Sequence, residues 1–219
     1  MSGAPARAAT SASADSRANP RARSACALKP LAYRATQWLL APHADEAIAA
    51  CARRVIGDLA RVGSSLDVGC GPQSLLYSLG LRPVGVDVSP EFVAAFARSG
   101  PAVRASATAL PFRDACFDLV WTCGLLHHLA DADAARALAE MARVARPGAR
   151  VVVFDGVRPE SALRRPVAAL VRHFDRGPWM RRHAALQAIL AQAPLSWASE
   201  RVTYTATGLE GVLAVAVKR

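Results

Sequence analysis

Long apolar runs are missing from this 219-residue chain. No stretch approaches the about 20 residues that a membrane-spanning helix needs. The N-terminus also lacks the apolar block of a secretory signal. Cysteine is sparse: Cys26, Cys51, Cys70, Cys116 and Cys123 make an odd number, with no Cys-x-x-Cys and no Cys/His ligand spacing. That argues against a disulfide framework and a zinc site, and it predicts a reducing, cytoplasmic setting. Aromatic residues make up only 6%, so a core must come from the Ala, Val and Leu that dominate the 53% hydrophobic fraction. Acidic residues are too few to balance the basic ones, and the net charge is +10. The excess is concentrated in two places. Residues 1–30 set Arg7, Arg17, Arg21, Arg23 and Lys29 against Asp15, and residues 158–183 set seven arginines against Glu160 and Asp175. Such surfaces attract phosphates, anionic lipid or acidic substrates.

The length suits one α/β domain with terminal additions. Residues 1–27 carry almost no large apolar side chain and read as a disordered basic tail, because they cannot bury enough surface to offset ordering entropy. Residues 28–219 read as a single domain. Helical spacing runs through 30–62, with a break at Pro42. Apolar runs at 65–70, 82–88, 102–106, 116–122 and 149–155 then alternate with helical stretches at 73–80, 90–98 and 133–145. That alternation predicts a doubly wound, mostly parallel sheet covered on both faces. Residues 200–207 and 211–219 are β-like and joined by a link too short for a crossover, so they must pair antiparallel. Between the fifth strand and this hairpin lies a basic helical insertion, 158–192. Leu163, Val167, Leu170, Val171 and Phe174 give it an apolar face, and Arg164, Arg165, Arg172 and Arg176 are expected on the remaining surface. It is a candidate substrate lid or site of peripheral membrane contact.

The strongest local signal is LDVGCGPQS at 66–74, placed where a strand ends and a helix begins. Gly69 and Gly71 allow a sharp turn and a close approach of backbone to ligand. Asp87 ends the next strand, where a carboxylate can accept from both hydroxyls of a ribose. Together these imply an adenosine-containing ligand. The third glycine favoured by a dinucleotide pyrophosphate is replaced by Ser74, so a phosphate-free nucleoside with an amino-acid tail fits better. Asp67, two positions before the first glycine, suits a cationic amino or sulfonium group.

These residues resemble the class I S-adenosylmethionine-dependent methyltransferases, especially those acting on small molecules. LDVGCG resembles the family's first motif and VGVDVSPEFV (84–93) its second. ALPFRDACFDLVWTCGLLHHL (109–129) and EMARVARPGARVVVFD (140–155) resemble its later segments, so the likeness runs in order across 65–155. It implies a Rossmann-like seven-stranded sheet and S-adenosyl-L-methionine as cofactor. By the resemblance, Asp67, Gly69 and Gly71 line the methionine end, Asp87 holds the ribose, and Val88 lies along the adenine. Ser106 and Ala107 sit at the adenine edge, while Thr122 and Cys123 pass beneath the cofactor toward the acceptor. Three positions depart from the pattern: Gln73 replaces a glycine, Ser106 an aspartate, and PGA at 147–149 the common PGG.

The implied reaction needs an acceptor aligned with the methyl group and shielded from water, with no metal. His127 and His128 follow the fourth strand at the ligand-binding edge and are the candidate bases for an acceptor hydroxyl. Cys123 is a weaker candidate as nucleophile. Tyr33 and Arg34 are placed to close over the cofactor. The acceptor is expected to be small and hydrophobic or aromatic. A nucleic-acid substrate is disfavoured, since no Asn/Asp-Pro-Pro-aromatic motif and no RNA-binding module appear. RNA or protein methylation, and cofactor binding without turnover, stand as the alternatives.

Overall fold

The computed structural model describes residue 41, residues 43–174 and residues 177–219, the side chains of 173 and 174 excepted. The tail at 1–27, the start of the helical region and the Tyr33–Arg34 pair lie outside the described residues.

Seven strands form one sheet: β1 (Ser65–Val68), β2 (Val84–Asp87), β3 (Ala102–Arg104), β4 (Phe117–Cys123), β5 (Ala145–Val157), β6 (Trp197–Thr203) and β7 (Glu210–Val217). Their order is β3-β2-β1-β4-β5-β7-β6. The first five run parallel, and β7 inserts antiparallel between β5 and β6. This is the predicted doubly wound sheet with a terminal antiparallel hairpin. The order reverses between β1 and β4, and in open α/β sheets that reversal opens a crevice at the strands' carboxyl ends.

Side chains alternate along each strand, so each strand feeds two cores. Val120, Val151, Val153, Val212 and Ala214 pack on one face with α3 (Asp131–Val144) and α5 (His183–Leu190). Leu119, Trp121, Val152, Phe154 and Leu213 pack on the other with α1 (Ala44–Ile56) and the turn Leu75–Leu79. The low aromatic content is met as expected, with Trp121 and Phe96 the largest fully buried rings among the described residues. The helix expected over 73–80 is only the short 3-10 turn 75–79, where Ser74 Oγ caps the Leu76 N–H and Gly80 ends it in the left-handed region. α2 (Pro90–Phe96) begins more firmly: Ser89 Oγ accepts from Phe92 N–H and Pro90 is preset for the first turn.

The PGA departure is harmless to the sheet. Gly148 takes a left-handed φ of 80° where the β4–β5 register shifts, and Ala149 is buried in the core. The insertion contains two short helices, α4 (Pro166–Phe174) and α5. α4 and the turn before it depart from the expectation at several positions, although Arg164 is exposed as expected and Val171 is half-buried. The Phe174 side chain and Arg176 lie outside the described residues. Leu163, Val167 and Leu170 are exposed, whereas Arg165 and Arg172 turn toward the hairpin and bond to it.

Candidate functional site

The glycine loop closes directly onto β2. Gly69 and Cys70 N–H groups both donate to Val86 O, at 2.8 and 3.0 Å. Gly71 N–H donates to Asp87 Oδ2 at 3.0 Å, and Ser89 N–H donates to Asp87 Oδ1 at 2.9 Å. The two glycines differ in purpose. Both have left-handed φ, but a Cβ on Gly69 would lie 2.8 Å from the Leu125 side chain, while a Cβ on Gly71 would meet nothing within 4 Å. Gly69 therefore serves packing. Gly71 borders open space, as a backbone cradle for a ligand requires.

Asp67 is 3% exposed and accepts from Ser74 Oγ. Burial pushes its carboxyl up to about 7, against the Ser74 bond and assisted by the nearby Asp87 charge. Asp87 is also raised, mainly by burial, although backbone donors at Ser89, Gly71 and Val88 favour the charged form. Two poorly hydrated carboxylates at one loop favour a cation and hydroxyl donors.

The chain after β3 runs beside the chain after β2. Ala105 N–H donates to Asp87 O at 3.1 Å, and the Arg104 guanidinium donates to Val88 O at 3.1 Å. This puts Val88, 55% exposed, on the same wall as Ser106 and the buried Ala107. Ser106 Oγ is engaged locally with Thr108, accepting from its backbone N–H.

The β4 end divides the expected residues. Thr122 is fully buried, and its hydroxyl donates to Val68 O at 2.7 Å, which bolts β4 to β1. Cys123 packs with the α1-side core. Burial, with Asp67, Asp155 and Asp45 nearby, raises its thiol well above the usual range, so it stays protonated and is a poor nucleophile.

His127 sits on a 3-10 turn, Leu126–His128, just beyond β4. Its Nδ1 lies 2.6 Å from Asp155 Oδ1, and both residues are buried. The other Asp155 oxygen accepts from Leu126 N–H at 2.5 Å and from His127 N–H at 3.3 Å. The ring is wedged tightly: a Cβ on Gly177 would fall 2.1 Å from its Cδ2. The His128 ring stacks beside it, tilted, with centroids 4.2 Å apart. The turn is held from behind by the buried Arg181, which donates to Leu126 O and Leu129 O, each at 2.6 Å, and to Asp131. Sequence reasoning missed Asp155 and Arg181. Asp155 lies in β5 at the same sheet edge as Asp87, and that shared placement was the available signal. Arg181 was hidden among many arginines.

A family model described as "Methyltransferase domain" matches residues 66–153. The chain carries a class I S-adenosylmethionine-dependent methyltransferase domain. Demethylmenaquinone methyltransferase of Mycolicibacterium paratuberculosis is 46% identical over 81 residues, covering 36% of this chain and 34% of that protein. The chain thus spans about a third of that curated relative's length. Among solved structures, a possible histamine N-methyltransferase from Thermotoga maritima aligns over 86% of this chain and 96% of its own, with a TM-score of 0.68 and 16% identity. Geranyl diphosphate C-methyltransferase from Streptomyces coelicolor A3(2), solved with S-adenosyl-L-homocysteine, aligns over 80% of this chain and 78% of its own, with a TM-score of 0.63 and 14% identity. These two likenesses establish the fold. The residues of the methyltransferase domain also fit its cofactor. The space at Gly71, the Asp87 carboxylate and the exposed Val88 wall lie along one edge in the order that an amino-acid tail, a ribose and an adenine demand.

Proposed function

We propose that the protein transfers a methyl group from S-adenosyl-L-methionine to a small hydrophobic acceptor, with His127 as the general base. The observation that carries this reading is the buried His127–Asp155 pair at 2.6 Å, one strand away from the glycine loop. Asp67, Gly71 and Asp87 hold the cofactor, whose sulfonium supplies an activated methyl group, and Gly69 seats the loop against Leu125. Val88, Ser106 and Ala107 border its adenine. Asp155 accepts from His127 Nδ1–H, which fixes the tautomer and leaves Nε2 as the basic nitrogen. As an acceptor proton passes to Nε2, the Asp155 carboxylate stabilises the imidazolium. His128 packs on the ring and limits its rotation. Thr122 and Cys123 support the floor of the site from within the sheet. Demethylmenaquinone and geranyl diphosphate, the acceptors in the names of two similar proteins, are both small molecules and support the acceptor class.

The test is incubation of purified protein with isotope-labelled S-adenosyl-L-methionine and a cell extract, followed by mass spectrometry. A labelled small molecule is expected. With that acceptor in hand, Asp155→Asn should lower kcat by about a hundredfold or more, because the wrong tautomer is favoured. The same variant should keep the rise in melting temperature produced by S-adenosylhomocysteine. Labelled nucleic acid or protein, no labelled product at all, or an Asp155→Asn enzyme with wild-type kcat, would overturn the reading.

A further inference from the structure

The helix α4 is turned inside out relative to ordinary surface helices. Arg165, Ala168 and Arg172 form its inward stripe. Arg165 donates to Gly208 O at 3.0 Å and to Thr203 Oγ1 at 3.2 Å. Arg172 donates to the Tyr204 hydroxyl at 2.7 Å and to Glu210 O at 2.9 Å. Ala168 is 1% exposed between them. The Arg172 guanidinium packs closely on Gly156, where a Cβ would lie 2.6 Å from it and displace it. With two arginines fixed inward, the apolar stripe must face out. Leu163 in the preceding turn is 95% exposed, Val167 51% and Leu170 59%. Val167 and Leu170, three residues apart in the helix, lie on one side of it.

The segment that carries this stripe is basic, and Arg164 adjoins Leu163 in the same turn. Arg158, Arg164 and Arg182 are exposed, and Arg158 N–H donates to Arg181 O, which draws the two ends of the insertion together. Glu160, an exposed acid of this segment, is already paired with Arg201 at 2.6 Å. Trp179 is 43% exposed in the same segment and has the amphipathic ring suited to a headgroup layer. An exposed aliphatic stripe in a segment rich in exposed arginines matches one kind of surface, hydrocarbon beneath negative headgroups. A second copy of this chain would bring the same basic segment and the same +10 net charge, which repel.

We propose that α4 and the turn before it dock the protein on an anionic lipid bilayer. The docking stands apart from the methyl-transfer reading and needs neither cofactor nor acceptor. It places the carboxyl edge of the sheet, where the glycine loop and His127 lie, close to the membrane surface.

The test is co-sedimentation of the full-length protein with phosphatidylcholine vesicles, with and without phosphatidylglycerol. Binding is expected only to the anionic vesicles, and it should weaken as salt is added. The double variant Val167→Ser/Leu170→Ser should lose about tenfold or more in vesicle affinity. Arg164→Gln should weaken binding less. Neither should lower the melting temperature, because these side chains face solvent. Wild-type vesicle binding by the double variant, equal binding to neutral vesicles, or no binding would overturn the proposal. So would a dimer in light scattering that the double variant dissociates. The S-adenosylhomocysteine melting shift reports on the cofactor site independently, so failure of one reading is visible without the other.

Discussion

If Asp67 holds the cofactor's amino group as proposed, binding should depend on pH, and the size of the effect follows from its burial. Its carboxyl titrates near 7 in the folded chain, against about 3.9 for an unperturbed aspartate. About a tenth of it is ionised at pH 6 and about three quarters at pH 7.5. A cationic amino group that requires the ionised form should therefore bind about eightfold more tightly at pH 7.5 than at pH 6, or ~1.2 kcal/mol. The ligand's α-amino group, titrating at about 7.7–8.0, loses roughly a quarter to two fifths of its charge by pH 7.5, which trims the observed gain to about five- to sixfold. In the free protein the sign is reversed. The native state keeps a proton that the unfolded chain releases, so stability falls as pH rises from about 4 to about 7, then levels off. Titration calorimetry with S-adenosylhomocysteine at several pH values reads the binding slope, and urea melts read the stability slope. Asp67→Asn retains the Ser74 partner but cannot ionise. It should bind weakly with no such slope, and it should lose that component of the stability slope. A flat wild-type affinity between pH 6 and 7.5, or the same slope in Asp67→Asn, would refute the reasoning.

The two loop glycines should separate. Gly69→Ala adds a clash with Leu125 to left-handed strain of about 1–2 kcal/mol, and should lower the melting temperature most. Gly71→Ala bears similar strain without a clash, and should instead weaken S-adenosylhomocysteine binding about tenfold or more by filling the ligand's space. Comparing melts with and without ligand checks both. Thr122→Val removes the donor to the buried Val68 carbonyl, at a cost of about 1–3 kcal/mol. Cofactor affinity should not change, and a large loss of affinity would show that the hydroxyl faces the ligand.

Much of the fold was legible because its signals are local. Alternating apolar runs, the glycine loop and Asp87 each occupy a few consecutive residues, and the topology follows from strand–helix alternation. The short link between the last two strands allowed only antiparallel pairing. The chemistry of the site was less legible. His127 stood out by residue type, but its value as a base depends on Asp155, 28 positions away, and on Arg181 behind the turn. Thr122 and Cys123 were placed on the right strand end, yet strand position alone does not reveal where a hydroxyl points. In the folded sheet the Thr122 hydroxyl turns to Val68 O, a partner 54 residues earlier.

The sequence by itself determined the mostly parallel sheet with its antiparallel hairpin, the glycine loop between β1 and β2, and the amphipathic character of the insertion. Only the tertiary structure decided which way that insertion faces. Periodicity shows that two sides of a helix differ, and the usual expectation is that the apolar side packs inward. Here the β6–β7 hairpin and its approach present Gly208 O, Glu210 O, the Tyr204 hydroxyl and Thr203 Oγ1 to α4. Such acceptors are satisfied by arginine and left unsatisfied by leucine. Hydrogen bonding across nearly 40 residues therefore set the orientation that the local pattern left open.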